Sequence, residues 1–290
     1  MKRLIPLFST VFIFLACQRD ISKTELYFKL PKELKEISGI TIAKSKIWAI
    51  ADSGNKNEIY QLSSTGKITH AIMLTDVENT DWEEITSDAK GDLYIGDFGN
   101  NDNLRKDLGI YKIEDKDLTK STVSSSQKTA FYYPEQTTFP PRKKSLFYDC
   151  EAFFEWNGYF YLFTKNRSSH FDGTTFLYKV PNKAGNFPAQ FLGEFKTCSD
   201  FNNCCITAAA LSPDKKKVVL LSHSKLWLFE DFKTDNFFNG KATKLELQHY
   251  SQKEAVGFST NDTLLIADEK TKKIGGNVYQ FSLKQLKSKS

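Results

Sequence analysis

Signatures of the common catalytic and nucleotide-binding sites are missing from this chain of 290 residues. It has no P-loop, no Gly-x-Gly-x-x-Gly turn, no His-Glu-x-x-His pair and no Gly-x-Ser-x-Gly elbow. Only four histidines and five cysteines are present, and no two cysteines form a Cys-x-x-Cys pair. These absences argue against nucleotide-dependent enzymes, zinc sites and serine hydrolases of the elbow type.

A strong excess of charge of one sign is also missing. The chain has 40 Lys and Arg against 35 Asp and Glu, a formal charge of +5, which is too small and too dispersed for a nucleic-acid-binding protein. The basic run 215–217 follows a Pro-Asp turn and is expected at a solvated hairpin tip. Hydrophobic residues make up 40% and charged residues 26%, which is ordinary for a folded domain. We therefore expect a folded protein with no nucleic-acid partner.

The chain has a single long apolar run, at residues 4–16, directly after two basic residues. Thirteen residues are too few to span a bilayer as a stable helix, but they fit the apolar core of a signal peptide. The run ends in Ala16 and Cys17, which resembles the lipobox of bacterial lipoproteins, although Phe14 stands where Leu is usual. The alternative is a plain secretory signal with an incidental cysteine.

The lipobox resemblance implies how the chain is organised and where it resides. Residues 1–17 are a lipoprotein signal peptide with the lipid-anchored Cys17, 18–24 are a polar tether, and 25–285 form one domain. The protein is expected in the bacterial cell envelope. Its lipid would hold it to a membrane, the outer membrane in our interpretation, on the periplasmic or the surface face.

Four cysteines remain beyond the predicted signal peptide, and an exported compartment permits disulfides between them. Four cysteines allow three pairings, among which the sequence does not choose. Neighbouring Cys204 and Cys205 rarely bond to each other because the ring is strained. A bond between Cys198 and Cys204 would close a short turn and leave Cys150 and Cys205 as partners.

Aromatic residues are abundant, with 24 Phe and 12 Tyr, and they favour β structure. After residue 35 one pattern recurs five times: a short segment that often starts with an acid, then a turn, a β-rich run, a polar loop and an aromatic strand, often with a fourth strand. The equivalent hydrophobic positions are Ile40, Ile85, Phe153, Ala209 and Val256. Four strands per unit and a period of about 40–45 residues or more predict the blades of a β-propeller.

The fold class is therefore all-β, a propeller of five four-stranded blades. The fifth unit has no evident outer strand, and residues 25–30 have a strand pattern without a partner. We expect this N-terminal strand to complete the last blade and close the ring, which removes a free sheet edge. Six blades are the alternative.

The repeat places the chemically capable side chains around the mouth of the central channel. Two residues before the equivalent hydrophobic position, three of the five units carry a glutamate: Glu83, Glu151 and Glu254. At or next to that ring and the ends of the second strands stand Asp52, Glu84, Asp97, Asn101, Lys165, Arg167, His223 and Glu269.

Several carboxylates in one ring repel each other. Two of them about 6 Å apart repel by roughly 3 kcal/mol at an effective dielectric constant of about 20. We predict that Glu83, Glu151 and Glu254 share a hard cation, Ca²⁺ or Mg²⁺. A polar or anionic small ligand would bind beside it, on Asp52, Glu84, Asn101, Lys165, Arg167 and Glu269. The alternative is that Lys165 and Arg167 neutralise the acids across the mouth.

Two segments resemble a family of exported bacterial β-propeller proteins that is largely uncharacterised. They are 79–85 (Asn-Thr-Asp-Trp-Glu-Glu-Ile) and 93–101 (Leu-Tyr-Ile-Gly-Asp-Phe-Gly-Asn-Asn). The resemblance covers most of residues 36–283 and implies an exported propeller, but little chemistry. Glutamates at the starts of the first strands are also similar, more distantly, to those of gluconolactonase-like and phytase-like propellers, which bind divalent cations there.

Three functions are consistent with these features. The first is a monomeric, lipid-anchored propeller whose mouth binds a divalent cation and a polar small ligand. The second is a metal-dependent hydrolase of phosphoesters or lactones, in which Asp97 or His223 is the general base. The third is a protein-interaction scaffold that uses blade edges and Phe-rich loops such as 236–239.

Overall fold

Five mainly antiparallel sheets follow one another along residues 25–288, the part of the chain that this computed structural model describes. The predicted signal peptide, Cys17 and the tether lie outside the described residues. The first strands of successive sheets contact one another in a closed ring, so the sheets are the blades of a five-bladed propeller. We number the blades 1 to 5 in the order of their first strands.

Each blade has four main strands, named first to outer from the channel outwards. The first strands are Ile37–Ala43, Trp82–Ser87, Asp149–Trp156, Ala208–Leu211 and Lys253–Phe258. The second strands are Lys46–Ala51, Leu93–Asp97, Tyr159–Lys165, Val218–Leu221 and Thr263–Asp268. The third strands are Glu58–Leu62, Gly109–Ile113, Thr174–Pro181, Lys225–Glu230 and Asn277–Ser282. The outer strands are Ile68–Leu74, Gln127–Tyr132, Gln190–Lys196, Lys241–Glu246 and, in blade 5, Glu25–Lys29.

The N-terminal strand closes the ring, as predicted. Glu25–Lys29 pairs antiparallel with Asn277–Ser282, and Phe28 lies opposite Val278. Both of these apolar side chains are buried. The outer edge of blade 5 is thereby covered, and the six-bladed alternative is wrong.

Two blades carry an additional short strand that the sequence pattern did not reveal. Thr122–Val123 pairs parallel with the outer strand of blade 1, and Gly185–Pro188 pairs parallel with that of blade 2. Thr122–Val123 lies between the third and outer strands of blade 2, and Gly185–Pro188 lies between those of blade 3. Each short strand therefore links its own blade to the preceding blade. Segments of two and four residues are too short to give a periodic signal.

The apolar core is divided among the five interfaces between blades. Between blades 3 and 4 it is largely aromatic: the ring centroids of Tyr161 and Phe237 are 4.9 Å apart, and those of Phe154 and Phe237 are 5.3 Å apart. Phe237 is fully buried. The two aromatic rings of segment 236–239 therefore belong to the core, and they are not available as an exposed Phe-rich loop for the scaffold hypothesis.

Helices are short throughout the described residues. The α-helices are Phe201–Cys204 and Leu283–Lys287, and the 3₁₀ helices are Lys32–Leu34, Asp115–Asp117, Lys143–Ser145 and Phe237–Asn239. Among residues 25–288 no helix has the length and apolarity needed to cross a membrane.

One disulfide is formed, between Cys198 and Cys204, whose Cα atoms are 5.6 Å apart. It is one of the bonds that the cysteine spacing left open. Cys150 and Cys205 are free thiols, and both are buried.

Candidate functional site

A β-bulge recurs at the same position in four of the five blades. The ladder between the first and second strands skips one residue on the first strand. The residues that are skipped are Ser38, Glu83, Glu151 and Glu254. A bulged residue leaves the alternation of the strand and its side chain is re-aimed. This local geometry turns the four side chains towards one end of the channel, which we call the upper mouth.

The upper mouth holds a cavity of about 230 Å³, and no hydrophobic side chain lines it. Two of its lining residues, Ser38 and Gln252, were not among the predicted site residues. The predicted site residues that line it are Asp52, Glu83, Asn101, Glu151, Lys165, Arg167, Glu254 and Glu269. The structure thus brings together eight of the predicted side chains, which come from four different blades.

Three carboxylates of blades 1 and 2 form an acidic group in the mouth. Asp52, Asp81 and Glu83 each offer one oxygen, and these oxygens lie within 4.8 Å of one another. None of the three forms an ion pair with any residue from 25 to 288. We call these residues the acidic triad.

The amide of Asn79 holds the acidic triad in place. Its Nδ2 donates hydrogen bonds to the carbonyl oxygens of Ala51 (3.0 Å) and Asp52 (2.9 Å), and its Oδ1 accepts one from the backbone N–H of Trp82 (3.1 Å). These hydrogen bonds hold the chain before blade 2 against the end of the second strand of blade 1. Asp81 therefore lies next to Asp52.

Gly99 leaves the space that two of these carboxylates occupy. A Cβ at this position would come within 2.2 Å of Glu83 Oε1 and 2.4 Å of Asp81 Oδ2. Any other residue at this position would have to displace the acidic triad.

Burial makes ionisation of the acidic triad unfavourable. It raises the pKa of Glu83 well above the ordinary range, and the charge of Glu151 adds to the effect. Burial also raises the pKa of Asp52 to about 6, with a contribution from Asp81, and it raises the pKa of Asp81. Ionisation of all three acids together is therefore unfavourable without a compensating cation.

A second acidic group lies beside the first and is compensated. Glu83, Asp149 and Glu151 also approach within 4.8 Å through one oxygen each. Arg167 Nε is 2.6 Å from Asp149 Oδ2, its Nη2 is 2.8 Å from Glu151 Oε1, and Lys165 Nζ is 3.0 Å from Glu151 Oε2. The alternative prediction, that Lys165 and Arg167 neutralise the acids, therefore holds for Asp149 and Glu151.

The pKa values of the second group follow from these contacts. Burial opposes the charge of Glu151, but Lys165 and Arg167 outweigh it and lower its pKa. Burial and the neighbouring Glu151 raise the pKa of Asp149 to about 8. Glu151 is therefore the carboxylate that stays ionised, and Asp149 is the one that takes up a proton.

Blade 5 contributes two further acids, each with its own partner. Glu254 Oε1 lies 3.1 Å from His223 Nε2, and His223 Nδ1 lies 2.9 Å from the carbonyl oxygen of Asn202. Glu269 Oε2 accepts a hydrogen bond from Gln252 (2.7 Å). Burial raises the pKa of Glu269 to about 8, and Glu254 and Asp52 add to the effect.

Three predicted site residues lie outside the cavity lining. Asp97 pairs with Arg105, at 3.0 Å, and His223 reaches the cavity only through Glu254. Glu84 is 1% exposed, lies deeper in the channel and accepts a hydrogen bond from the backbone N–H of Ile85 (3.0 Å). The assignment of Asp97 or His223 as a general base therefore has no support from the geometry of the cavity.

Sequence reasoning missed two acids, Asp81 and Asp149. Each stands two residues before a predicted glutamate, so both belong to the same Asp-x-Glu pattern at 81–83 and 149–151. Comparing the position two residues before each glutamate across the repeats would have found them.

Comparisons with known proteins extend only to the fold. No protein-family model and no curated protein matches the chain. The PQQ-bound aldose sugar dehydrogenase of Streptomyces coelicolor superposes with a TM-score of 0.51 and 9% identity, over 89% of this chain and 96% of that one. A chain of the nidogen/laminin complex gives 0.47 and 13%, over 86% of this chain and 76% of that one. The resemblance to exported bacterial propellers therefore stays a prediction.

Proposed function

We propose that this protein is a lipid-anchored propeller of the bacterial cell envelope whose upper mouth binds a divalent cation together with a polar small ligand. The observation that carries the proposal is the acidic triad. Its three carboxylates lie within 4.8 Å of one another, and none of them forms an ion pair within the described chain.

The two halves of the mouth differ in how their charge is balanced. At 4.8 Å, two carboxylates repel by about 3 kcal/mol at an effective dielectric constant of about 20. Arg167 and Lys165 offset this repulsion for Asp149 and Glu151. The acidic triad has no such partner, so it binds either protons or a cation. The cation therefore belongs to Asp52, Asp81 and Glu83 rather than to a ring that includes Glu254.

The oxygen atoms of this group favour a hard ion. Carboxylate ligands without histidine or cysteine are typical of Ca²⁺ and Mg²⁺ sites, which also keep water or ligand oxygens in their coordination sphere. Across the cavity, Lys165 and Arg167 retain N–H groups beyond those used in their ion pairs. A small ligand with an anionic or strongly polar oxygen fits between the ion and these donors.

Thermal unfolding with and without divalent cations tests the cation site. Binding to the native state alone stabilises it by about 2.7 kcal/mol at a hundredfold excess over the dissociation constant. We expect Ca²⁺ or Mg²⁺ to raise the melting temperature of the wild type and EDTA to reverse the increase. Asp81→Asn and Glu83→Gln should abolish most of the response. They should also raise the cation-free melting temperature, because a buried amide, unlike these acids, needs neither proton uptake nor a desolvated charge on folding.

Glu194→Gln is the matched control, because Glu194 is exposed on the outer strand of blade 3. It removes one negative charge and should leave the response to the cation unchanged. The proposal would be wrong if no divalent cation shifted the melting temperature of the wild type. It would also be wrong if Glu194→Gln weakened the response as much as Glu83→Gln.

A further inference from the structure

The described chain begins near the end of the propeller opposite the acidic mouth. First strands run from the upper mouth to the turns that join them to the second strands, and we call the end with these turns the lower face. Tyr27 lines a groove together with Ser45, Pro213 and Ser259, which stand in three of these turns. The chain that leads to Glu25 therefore reaches the propeller at the lower face.

The groove at this point has amphipathic walls. Its volume is about 390 Å³, and its apolar lining includes Ile42 and Phe258. Leu26 is 49% exposed and Tyr27 is 38% exposed beside it. Tyrosine at the edge of such a surface suits the boundary between water and lipid, because its ring is apolar and its hydroxyl is polar, and the exposed leucine adds apolar surface.

The turns of the lower face also carry free positive charge. Lys46, Lys90 and Lys216 are exposed, and within residues 25–288 they form no ion pair. Acids on the same face are partly neutralised by other lysines, since Asp262 pairs with Lys217 at 3.1 Å. Free lysines on a surface attract anionic lipid headgroups. Exposed loops of the upper end carry comparable lysines, so charge permits a lipid contact and the position of the anchor decides the orientation.

We propose that the lower face rests on the lipid bilayer and that the acidic mouth opens away from it. The inference depends on the proposed lipid anchor at Cys17. Glu25 follows Cys17 by eight residues, so an extended chain between them reaches at most about 29 Å. The anchor therefore keeps the lower face close to the membrane that holds the lipid.

The opposite orientation is unfavourable for two reasons. To place the anchor at the upper mouth, the chain before Glu25 would have to run back along blade 5. The first strand of this blade, with six residues, spans about 20 Å, which is most of the length that the chain between Cys17 and Glu25 can cover. The mouth would then press its uncompensated acidic triad against anionic headgroups.

Fluorescence quenching on vesicles tests the orientation. The full-length lipidated protein, in vesicles of phosphatidylethanolamine and phosphatidylglycerol, carries a bimane label at Lys67→Cys on the lower face or at Lys273→Cys beside the mouth. Both positions are exposed, and the native free thiols are buried. With a nitroxide on the lipid headgroups, we expect quenching at Lys67→Cys to be at least about twofold stronger than at Lys273→Cys. Equal quenching, or stronger quenching at Lys273→Cys, would overturn the inference.

Charge reversal tests whether the lysines contact the lipid. The combined change Lys46→Glu, Lys90→Glu and Lys216→Glu should reduce the quenching ratio towards one. The matched change Lys106→Glu, Lys144→Glu and Lys272→Glu, on exposed loops of the upper end, should preserve it. An unchanged ratio in the first variant would contradict the proposed contact.

Failure of the anchor and failure of the orientation give different results. If the wild-type Cys17 peptide carries no acyl mass and the protein stays off the vesicles, as Cys17→Ala should, both the anchor and the orientation are overturned. An acylated protein on the vesicles with equal quenching at both labels overturns the orientation alone.

Discussion

Arg167 is the side chain that decides how much charge the mouth can hold. It bridges two buried carboxylates, Asp149 and Glu151, on the first strand of its own blade. Removing one partner of a buried ion pair leaves an uncompensated charge, which costs far more than the pair itself contributes.

Arg167→Gln should therefore lower the free energy of unfolding by about 3 kcal/mol at pH 7, as measured by urea denaturation. The loss should be similar at pH 5, because Asp149, whose pKa burial raises to about 8, already holds a proton at pH 7, and Glu151, whose pKa Lys165 and Arg167 lower, stays ionised at both pH values. The control Arg142→Gln removes an exposed arginine and should cost under about 0.5 kcal/mol. A loss as small as that of the control would show that Arg167 does not compensate these acids.

The acids of the mouth also set a pH dependence of stability. Burial raises the pKa of Glu269 to about 8 and that of Asp52 to about 6, so the folded state holds protons that the unfolded state has released. Stability should therefore fall as pH rises from 5 to 8, by up to about 1.4 kcal/mol per pH unit for each retained proton.

Glu269→Gln removes the part of this dependence that extends to about pH 8. In EDTA, its melting temperature should fall less between pH 6 and 8 than that of the wild type. Glu194→Gln should keep the wild-type slope. A wild-type melting temperature that rises over this interval would contradict the sign derived from the raised pKa values.

At the level of elements, the bulge in the first strand is the device that builds the mouth. Without it, Glu83, Glu151 and Glu254 would follow the ordinary alternation of a strand, which sends neighbouring side chains to opposite faces. In four blades the bulge aims one residue at the channel end. In blade 4 the ladder begins at Ala208, and the equivalent residue is Thr207, which is not an acid. The direction of these side chains thus depends both on their position in the repeat and on the bulge in the backbone.

The closing strand of blade 5 is the element with the largest predicted effect on stability. A variant that begins at Pro31 loses the partner of Asn277–Ser282 and the buried ring of Phe28. Loss of a buried phenylalanine alone costs about 3–5 kcal/mol. For a domain of this size we expect the melting temperature to fall by about 10 K, or the protein to aggregate through the exposed edge.

A variant that begins at Lys23 keeps the closing strand and is the control for this deletion. Differential scanning calorimetry and size-exclusion chromatography compare the two. A monomeric protein of wild-type stability that begins at Pro31 would show that the ring does not need this strand.

At the scale of the whole molecule, the two ends of the channel differ in character. The upper cavity of about 230 Å³ has a lining without hydrophobic side chains, whereas a lower cavity of about 250 Å³ has a mixed lining, in which apolar residues such as Ile40 and Val256 stand beside polar ones such as Asp88 and Glu155. The same first strands supply both ends. The bulge near the start of each strand presents polar residues, and the regular alternation beyond it presents apolar ones.

The sequence by itself determined the all-β class, the five blades and the closure of the ring by the N-terminal strand. These features repeat along the chain or leave an unpaired strand pattern at each end, so periodicity is enough to read them. It also indicated which positions gather at one end of the channel, because equivalent positions in a closed ring must converge. The sequence did not reveal the two short parallel strands, because they pair with a neighbouring blade and have no periodic pattern of their own.

Only the tertiary structure decided which charges meet. Nothing in the repeat says that Arg167 takes both Asp149 and Glu151, or that Asn79 brings Asp81 to Asp52. These contacts depend on loop conformations and on distances of a few ångströms between side chains of different strands and blades. Coulomb energies and desolvation vary steeply over such distances, so the division of the mouth into a compensated half and an uncompensated half follows from the packed structure.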